Sequence, residues 1–247
     1  MRVIRIHVPG PLSAGSDITL PAQAGEHLTR VLRLEAGAPF VLFDGRGGEY
    51  AAQLGTRQGK SVRAQVLGHQ PIERESPLDV TLVQGIARGE RMDLIVQKAT
   101  ELGVSRIVPV FAERSVVRID LKQRDRKHEH WQAITISACE QCGRNRLPLV
   151  AAPAALDAAL KTLPANATRL LLAADGPESV AALAARAGEA PLALLIGPEG
   201  GLADAEKQLA LARGFVACRL GPRILRTETA GLAALAALQA IAGDFGT

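Results

Sequence analysis

The chain has 247 residues, a formal net charge of +4, and 47% hydrophobic but only 3% aromatic residues. This composition excludes intrinsic disorder, and no apolar run approaches the ~20 residues that a membrane-spanning helix needs. Arg5 and His7 interrupt the first apolar positions, which is unlike a signal peptide, and three cysteines indicate a reducing compartment. We therefore expect a cytoplasmic globular protein whose core is aliphatic.

The basic residues are biased in type and in position. Arginine supplies 23 of the 29 basic residues, and its planar fork suits phosphates and base edges. A GC-rich genome, which raises arginine and alanine together, is the alternative explanation. Residues 114–146 hold 8 basic and 4 acidic residues and so carry the positive excess, as a nucleic-acid-binding surface would.

Residues 1–70 predict a small β domain. Short, often alternating runs such as Val3–Val8 and Phe40–Phe43 are separated by glycine-bearing turns, which favours an antiparallel sheet or barrel. One short helix is predicted over Gly25–Leu34. The two prolines and alternating charges of His69–Pro77 predict a linker.

From residue 77 to residue 247 the pattern changes to alternating strands and helices, which predicts an α/β domain with a parallel sheet. The predicted elements are a strand at Asp79–Val83, a helix at Arg91–Leu102, a strand at Ser105–Phe111, a polar helix at Leu121–Cys142, strands at Arg169–Ala174, Leu192–Ile196 and Phe215–Leu220, and a last helix at Thr227–Ala242.

Three of these strands end in glycine corners, which are Asp175-Gly-Pro177, Gly197-Pro-Glu-Gly-Gly201 and Gly221-Pro222. Ligands of open α/β sheets bind beyond the carboxyl ends of strands, and glycine lets a ligand approach the main chain. Three corners after three consecutive strands therefore predict one composite pocket. None of them has the Gly-Lys-Ser/Thr of a P-loop, and no Gly-x-Gly-x-x-Gly follows the first strand, which disfavours triphosphate and dinucleotide sites.

Further motifs extend over almost the whole chain: His27–Arg33, Phe43–Gly45, Gly89–Met92, Gln97–Gly103, Glu140-Gln141 with Arg144 and Pro148, Ile196–Gly201, and Leu220–Ala230. With them the chain closely resembles the RsmE family, bacterial 16S ribosomal RNA uridine-N3 methyltransferases of the SPOUT superfamily. The resemblance implies a PUA-like β-barrel RNA-binding domain at 1–70, and an S-adenosylmethionine-binding catalytic domain at 77–247 that contains a trefoil knot. It also implies a homodimer.

The activity that this resemblance implies is methylation of N3 of one uridine in the 16S ribosomal RNA of the assembled small subunit, near the decoding centre. S-adenosylmethionine is the implied cofactor. The residues that map to its binding loops are Ile196, Gly197, Pro198, Glu199, Gly200, Gly201, Leu220, Gly221, Ile224, Leu225 and Thr229.

Four charged residues within the same motifs are candidates for catalysis. Uracil N3 is a weak acid, so a base or a stabiliser of the uracil anion should help. We hypothesise that Arg226 or Arg223 stabilises this anion or binds a phosphate, and that Glu199 or Glu228 accepts the proton. The alternatives are that Glu199 holds the amides of its loop and that Glu228 caps the last helix.

Six arginines are candidates for RNA contacts, of which two are expected on one face of the short helix. Contacts to phosphate give affinity and salt sensitivity, and the shortage of aromatic residues argues against base-stacking platforms. We expect recognition by shape, with the target base exposed or extruded. The alternative is a solvated helix face. The candidates are Arg30, Arg33, Arg114, Arg118, Arg144 and Arg146.

Cys139 and Cys142, near His128 and His130, do not have a usual zinc spacing, so we expect packing cysteines and no metal. Two other functions remain open. One is an enzyme of the same fold that methylates ribose 2′-oxygens, against which the Arg226–Ala230 block argues. The other is a non-catalytic RNA-binding or ribosome-assembly factor, against which the intact glycine corners argue.

Overall fold

The computed structural model describes residues 3–59, 61–115 and 121–246. Within these residues the chain forms two compact units. The small unit holds the residues up to Glu75 together with Cys139–Leu147, and the large unit holds Ser76–Ala138 and the residues from Pro148 onward. The predicted division at 70–77 is therefore incomplete, because a segment from the second half of the chain belongs to the small unit. No helix in the described residues is long and apolar enough to cross a bilayer.

The small unit is built on one five-stranded sheet. Its strands are β1 (Arg5–His7), β2 (Asp17–Thr19), β3 (Pro39–Phe43), β4 (Glu49–Gln58) and β5 (Ser61–Gln70), in the order β1-β3-β4-β5-β2. All neighbours are antiparallel except β1 and β3, which are parallel, so the sheet is mixed rather than purely antiparallel. The reason is that a long connection between β1 and β3 returns the chain to the end where β1 began.

The predicted short helix lies a few residues earlier than expected. It consists of α1 (Ala22–Glu26) and a π-helical segment, His27–Val31. Gly25 permits this helix to lie directly on β5, because a Cβ atom there would come within 2.9 Å of the Val62 side chain.

Residues 139–147 are bound to the small unit by charged and polar side chains. Arg5 is buried and forms an ion pair with Glu49, and its Nη2 donates to Asn145 Oδ1. Arg144 donates from Nε to Glu75 Oε2 at 3.0 Å. Buried charges are stable only when they are paired and hydrogen-bonded, so this cluster fixes the returning segment in place.

The large unit contains an eight-stranded sheet in which every pair is parallel, as predicted. The strands are β6 (Val80–Gly85), β7 (Arg106–Phe111), β8 (Leu149–Val150), β9 (Ala154–Ala155), β10 (Thr168–Leu172), β11 (Glu178–Ser179), β12 (Leu192–Ile196) and β13 (Val216–Arg219). Their order is β11-β13-β10-β12-β6-β7-β8, and β9 also pairs with β7. The helices are α2 (Glu90–Glu101), α3 (Leu121–Cys142), α4 (Leu156–Leu160), α5 (Val180–Ala187), α6 (Asp204–Ala212) and α7 (Thr227–Ala242). The last four residues of α3 belong to the small unit.

Helices cover both faces of this sheet, which explains the continuous apolar strands. In β12, Leu194 packs into the core under α2, α5 and α7, whereas Leu195 packs into the core under α4 and α6. Strand side chains alternate between the two faces of the sheet, and both faces are covered by helices. Every residue of β12 is therefore buried. The order also places β10 between β12 and β13, so the carboxyl ends of these three strands meet at one edge.

Candidate active site

The three glycine corners line one cavity of about 510 Å³, which is the predicted composite pocket. The volume falls within the range of roughly 300–1,000 Å³ that is usual for small-molecule sites. Ala173–Asp175 follows β10, Gly197–Glu199 follows β12, and Leu220-Gly221 follows β13. About half of the lining residues are aliphatic, seven are charged, and the glycines expose main-chain polar groups.

Nine of the eleven predicted cofactor residues line this cavity, namely Ile196, Gly197, Pro198, Glu199, Gly201, Leu220, Gly221, Ile224 and Leu225. Gly200 and Thr229 do not. A Cβ atom at Gly200 would come within 2.8 Å of the Arg114 carbonyl oxygen, so this glycine permits the loop to pack against the residues after β7. Thr229 is exposed on α7. A cofactor contact from either residue stays a prediction.

Hydrogen bonds fix the cavity walls relative to one another. Thr227 Oγ1, at the start of α7, donates to the Gly197 carbonyl oxygen at 2.6 Å. Gln84 Nε2, at the end of β6, donates to Thr227 Oγ1 at 3.0 Å. Gly85 also touches this loop, because a Cβ atom there would lie 2.5 Å from Pro198. The loop after β12 therefore has a defined position before any ligand binds.

Glu199 is engaged in holding its loop. Its Oε1 accepts hydrogen bonds from the Arg88 backbone N–H and from Arg91 Nη1, both at 2.9 Å. Burial would raise the pKa of this carboxyl, but the hydrogen bonds from Arg88, from the Glu199 N–H and from Arg91 outweigh it, and the net pKa is lowered. A carboxylate that is held in its ionised form by three donors is a poor proton acceptor. The geometry favours the predicted alternative for Glu199, a structural role.

Glu228 has a different environment. It lies in the first turn of α7, lines the cavity, and has a side chain that is 16% exposed. Its Oε1 lies 3.8 Å from Arg91 Nε, whereas its buried Oε2 has no hydrogen-bond partner among the described residues. A buried carboxylate oxygen without a partner is rare in proteins. Unlike Glu199, Glu228 is thus held by no hydrogen bond from the described residues to its side chain.

The two predicted cationic residues, Arg223 and Arg226, both line the cavity and are exposed. Neither side chain forms a hydrogen bond or an ion pair with any residue in the described part of the chain. Their guanidinium groups are therefore available to an anionic ligand.

Three further charged residues line the cavity and were missed by sequence reasoning, namely Arg91, Asp175 and Lys207. Two of them lay within patterns that had been noticed, because Arg91 belongs to the Gly89–Met92 motif and Asp175 begins the first glycine corner. Lys207, on α6, belongs to no such pattern.

The predicted RNA contacts on the short helix are only partly supported by the geometry. Arg30 is exposed and pairs with Glu26 one helical turn earlier. Arg33 lies beyond the helical segment with a φ of +52°, so the two arginines do not share one helical face as predicted. Arg118 lies outside the described residues.

The arginines of the 114–146 stretch differ in accessibility. Arg144 was predicted to contact RNA, but its side chain is only 7% exposed and is bound to Glu75, so the structure assigns it to the small unit's interior. Arg146 is exposed and pairs with Glu73 at 3.1 Å. Arg114 is exposed, and its backbone lies beside Gly200 of the cavity loop.

The cysteines match the description of packing residues. Cys139 is buried, and burial raises the pKa of its thiol to about 12, which suppresses its reactivity. The described residues contain no group of three or more His, Cys, Asp or Glu side chains that could hold a metal ion.

Comparison with known proteins gives the family. An RNA methyltransferase PUA domain model matches residues 20–67, and an RNA methyltransferase domain model matches residues 74–239. The ribosomal RNA small subunit methyltransferase E of Buchnera aphidicola subsp. Schizaphis graminum is 32% identical, over 98% of each chain. The chain belongs to the ribosomal RNA small subunit methyltransferase E family.

Solved structures agree with this membership in the methyltransferase E family. The methyltransferase E of Neisseria gonorrhoeae, bound to S-adenosyl methionine, has a TM-score of 0.91 and 39% identity, and covers 99% of this chain and 100% of its own. A putative methyltransferase of Legionella pneumophila, also with bound cofactor, has a TM-score of 0.89, 39% identity and the same coverage. The predicted PUA-like domain, parallel α/β domain and methyltransferase class are thus confirmed, and the knot stays a prediction.

Proposed function

We propose that this member of the methyltransferase E family transfers a methyl group from S-adenosylmethionine to N3 of one uridine in 16S ribosomal RNA. The substrate is the assembled small subunit, near its decoding centre, and the enzyme acts as a cytoplasmic homodimer. One observation carries the proposal. The three glycine corners line one cavity to which Glu228, Arg223 and Arg226 also contribute, and the two guanidinium groups have no partner among the described residues.

The residues present fit this cofactor. Ile196, Leu220 and Leu225 supply aliphatic walls for an adenine ring. Gly221 has a φ of +68°, and no atom lies within 4 Å of where its Cβ would be, so a ligand can approach the main chain there. When bound, S-adenosylmethionine supplies an activated methyl group on a sulfonium.

Glu228 is the better proton acceptor of the two predicted carboxylates. Its Oε2 has no hydrogen-bond partner in the described residues, whereas Glu199 Oε1 already accepts from Arg88 and Arg91. A general base must lie within hydrogen-bond reach of the proton that it removes, and the Glu228 side chain lines the cavity without a hydrogen bond to any described residue. Glu228 therefore removes the N3 proton, while Glu199 holds the loop.

Arg223 and Arg226 act on the negative charge. Deprotonation of N3 leaves charge on the uracil ring, and an unpaired guanidinium can stabilise it or hold an adjacent phosphate. The exposed arginines outside the cavity, Arg30, Arg114 and Arg146, supply further phosphate contacts. The target base enters the cavity exposed or extruded from its stem, because the N3 edge is blocked in a base pair.

A primer-extension scan of small-subunit ribosomal RNA tests this function. N3 methylation blocks the pairing edge and stops reverse transcriptase, whereas ribose methylation barely does. We expect one strong stop at a uridine near the decoding centre in the parent strain, its loss in a strain without this gene, and its return on complementation. A stop that persists in the deletion strain would contradict the proposal. Loss of a ribose methylation instead would support the alternative enzyme.

A further inference from the structure

The guanidinium group of Arg91 lies between the two carboxylates of the cavity. Arg91 occupies the first turn of α2, and its side chain lines the cavity. Its Nη1 donates to Glu199 Oε1 at 2.9 Å, and its Nε lies 3.8 Å from Glu228 Oε1. One side chain thus connects α2, the loop after β12 and the start of α7.

The two carboxylates depend on Arg91 to different degrees. Glu199 has a second anchor, the Arg88 backbone N–H, which a change at position 91 leaves in place. For Glu228, Arg91 is the only hydrogen-bonding or ion-pairing side chain found among the described residues. Removal of Arg91 should therefore leave the loop after β12 held while it releases the Glu228 side chain.

Only one of the two carboxylate oxygens of Glu228 has a charged neighbour within the described part of the chain. Arg91 faces Oε1, and Oε2 is left without a partner. An opposite charge at this distance restricts the rotamer of a carboxylate. The ion pair therefore restrains the Glu228 side chain at the cavity without a hydrogen bond from the described residues to either of its oxygens.

We infer that Arg91 is a positioning residue, which holds the Glu228 carboxylate so that it can take the proton from N3 of the target uridine. This inference rests on the proposed function. The proton passes from N3 to the Glu228 carboxylate as the bond between N3 and the methyl carbon forms. The bond between that carbon and sulfur breaks, and its electron pair leaves with the thioether. Arg91 itself exchanges no proton in this step.

Single-turnover methylation of purified small subunits, with saturating S-adenosylmethionine, tests this role in the full-length protein. We expect Arg91→Met to lower the rate constant about 10²-fold, the lower end for loss of a general base. Calorimetry should show cofactor affinity within about threefold of the parent, because the Arg88 anchor of Glu199 remains. Arg91→Lys, which keeps the charge, should retain the rate within about tenfold. Lys98→Met, which removes a charge from the same helix outside the cavity, is the matched control.

A double-mutant cycle gives the sharpest result. If Arg91 acts through Glu228, the Arg91→Met, Glu228→Gln double variant should be no slower than the slower single variant. Losses that multiply would overturn the inference, as would an Arg91→Met enzyme with the parent rate, or one that has lost cofactor affinity. An inactive parent protein would instead contradict the proposed function, so the two failures are distinguishable.

Discussion

Thr227 Oγ1 donates a hydrogen bond of 2.6 Å to the carbonyl oxygen of Gly197, and so joins the first residue of α7 to the loop after β12. Gln84, fully buried at the end of β6, donates to the same hydroxyl. The hydroxyl thus accepts one bond and donates another within the protein interior. Two walls of the cavity, one ending at Gly197 and the other beginning at Thr227, are held at a fixed distance by this side chain.

Thr227→Val tests this connection, because valine has the shape of threonine without its hydroxyl. The change leaves the Gln84 donor and the Gly197 acceptor without their shared partner. We expect the free energy of unfolding to fall by about 1–3 kcal/mol, the cost of leaving buried polar groups unsatisfied. Urea denaturation measures this loss, and Thr227→Ser, which keeps the hydroxyl, should lose less than about 1 kcal/mol. Equal stability of the two variants would show that the hydrogen bonds contribute nothing.

Glu199→Gln distinguishes the roles of the two carboxylates of the cavity. The glutamine oxygen can still accept from the Arg88 N–H, and Glu199 is not the proton acceptor in our account. We expect a single-turnover rate within about tenfold of the parent, whereas Glu228→Gln should lose about 10²–10⁴-fold. The acid limb of the pH–rate profile should stay in place in Glu199→Gln. A shift of that limb, or a loss as large as that of Glu228→Gln, would assign the base to Glu199.

Glu49→Gln tests the buried ion pair of the small unit. Burial would raise the pKa of the Glu49 carboxyl, but hydrogen bonds and charges from Arg5 and Arg74 lower it below its ordinary value of 4.5. The pair therefore stabilises the fold above that value, and the stabilisation is lost as the pH falls through the lowered pKa. We expect Glu49→Gln to cost about 3–5 kcal/mol at pH 7, because Arg5 keeps a buried charge without its partner.

The control for this change is Glu26→Gln, which breaks the exposed pair with Arg30 in the same unit. It should cost less than about 1 kcal/mol. Denaturant titrations at pH 7 and in the acid range measure both variants. Equal costs for Glu49→Gln and Glu26→Gln at pH 7 would contradict the structural role given to Arg5 and Glu49.

Glu140→Gln is expected to stabilise the protein. Burial raises the pKa of the Glu140 carboxyl above 4.5, although a hydrogen bond from the His7 N–H and the charges of His27 and Arg5 act against this. The cost of burying the charge is absent below pH 4.5, grows as the pH rises through the raised pKa, and is constant above it. Glutamine keeps the acceptor for the His7 N–H without the charge.

The difference in unfolding free energy between Glu140→Gln and the parent should therefore be favourable at pH 7 and vanish below pH 4.5. Denaturant titrations over this pH range measure it, and the parent provides the reference at every point. A variant that is less stable than the parent at pH 7 would show that the charge itself is needed.

The glycine corners could be predicted from the sequence because parallel strands point the same way. Each corner follows a short aliphatic run, so the three ends had to meet at one edge once the strands were recognised. The order of the strands could not be predicted, since β10, β12 and β13 have similar patterns and no residue indicates that β10 lies in the middle. Burial on both faces also leaves β12 without an alternation that would indicate its neighbours.

Contacts between distant parts of the chain were the part that the sequence did not reveal. A local excess of positive charge led to the prediction that Arg144 contacts RNA, but its partner Glu75 lies 69 residues earlier. Arg91 and Glu199 are separated by 108 residues, so no local spacing connects them. Charge density along the chain indicates where cations are frequent, whereas their partners depend on tertiary packing.

Methyl transfer to isolated small subunits tests the central claim most directly. Subunits from a strain without this gene are incubated with the purified protein and methyl-labelled S-adenosylmethionine, and the 16S ribosomal RNA is digested to nucleosides for mass spectrometry. We predict that the label appears in 3-methyluridine alone, at no more than one per 16S ribosomal RNA, and that Glu228→Gln lowers its rate of formation. Label in a ribose-methylated nucleoside, or 16S ribosomal RNA that takes up no label, would contradict it.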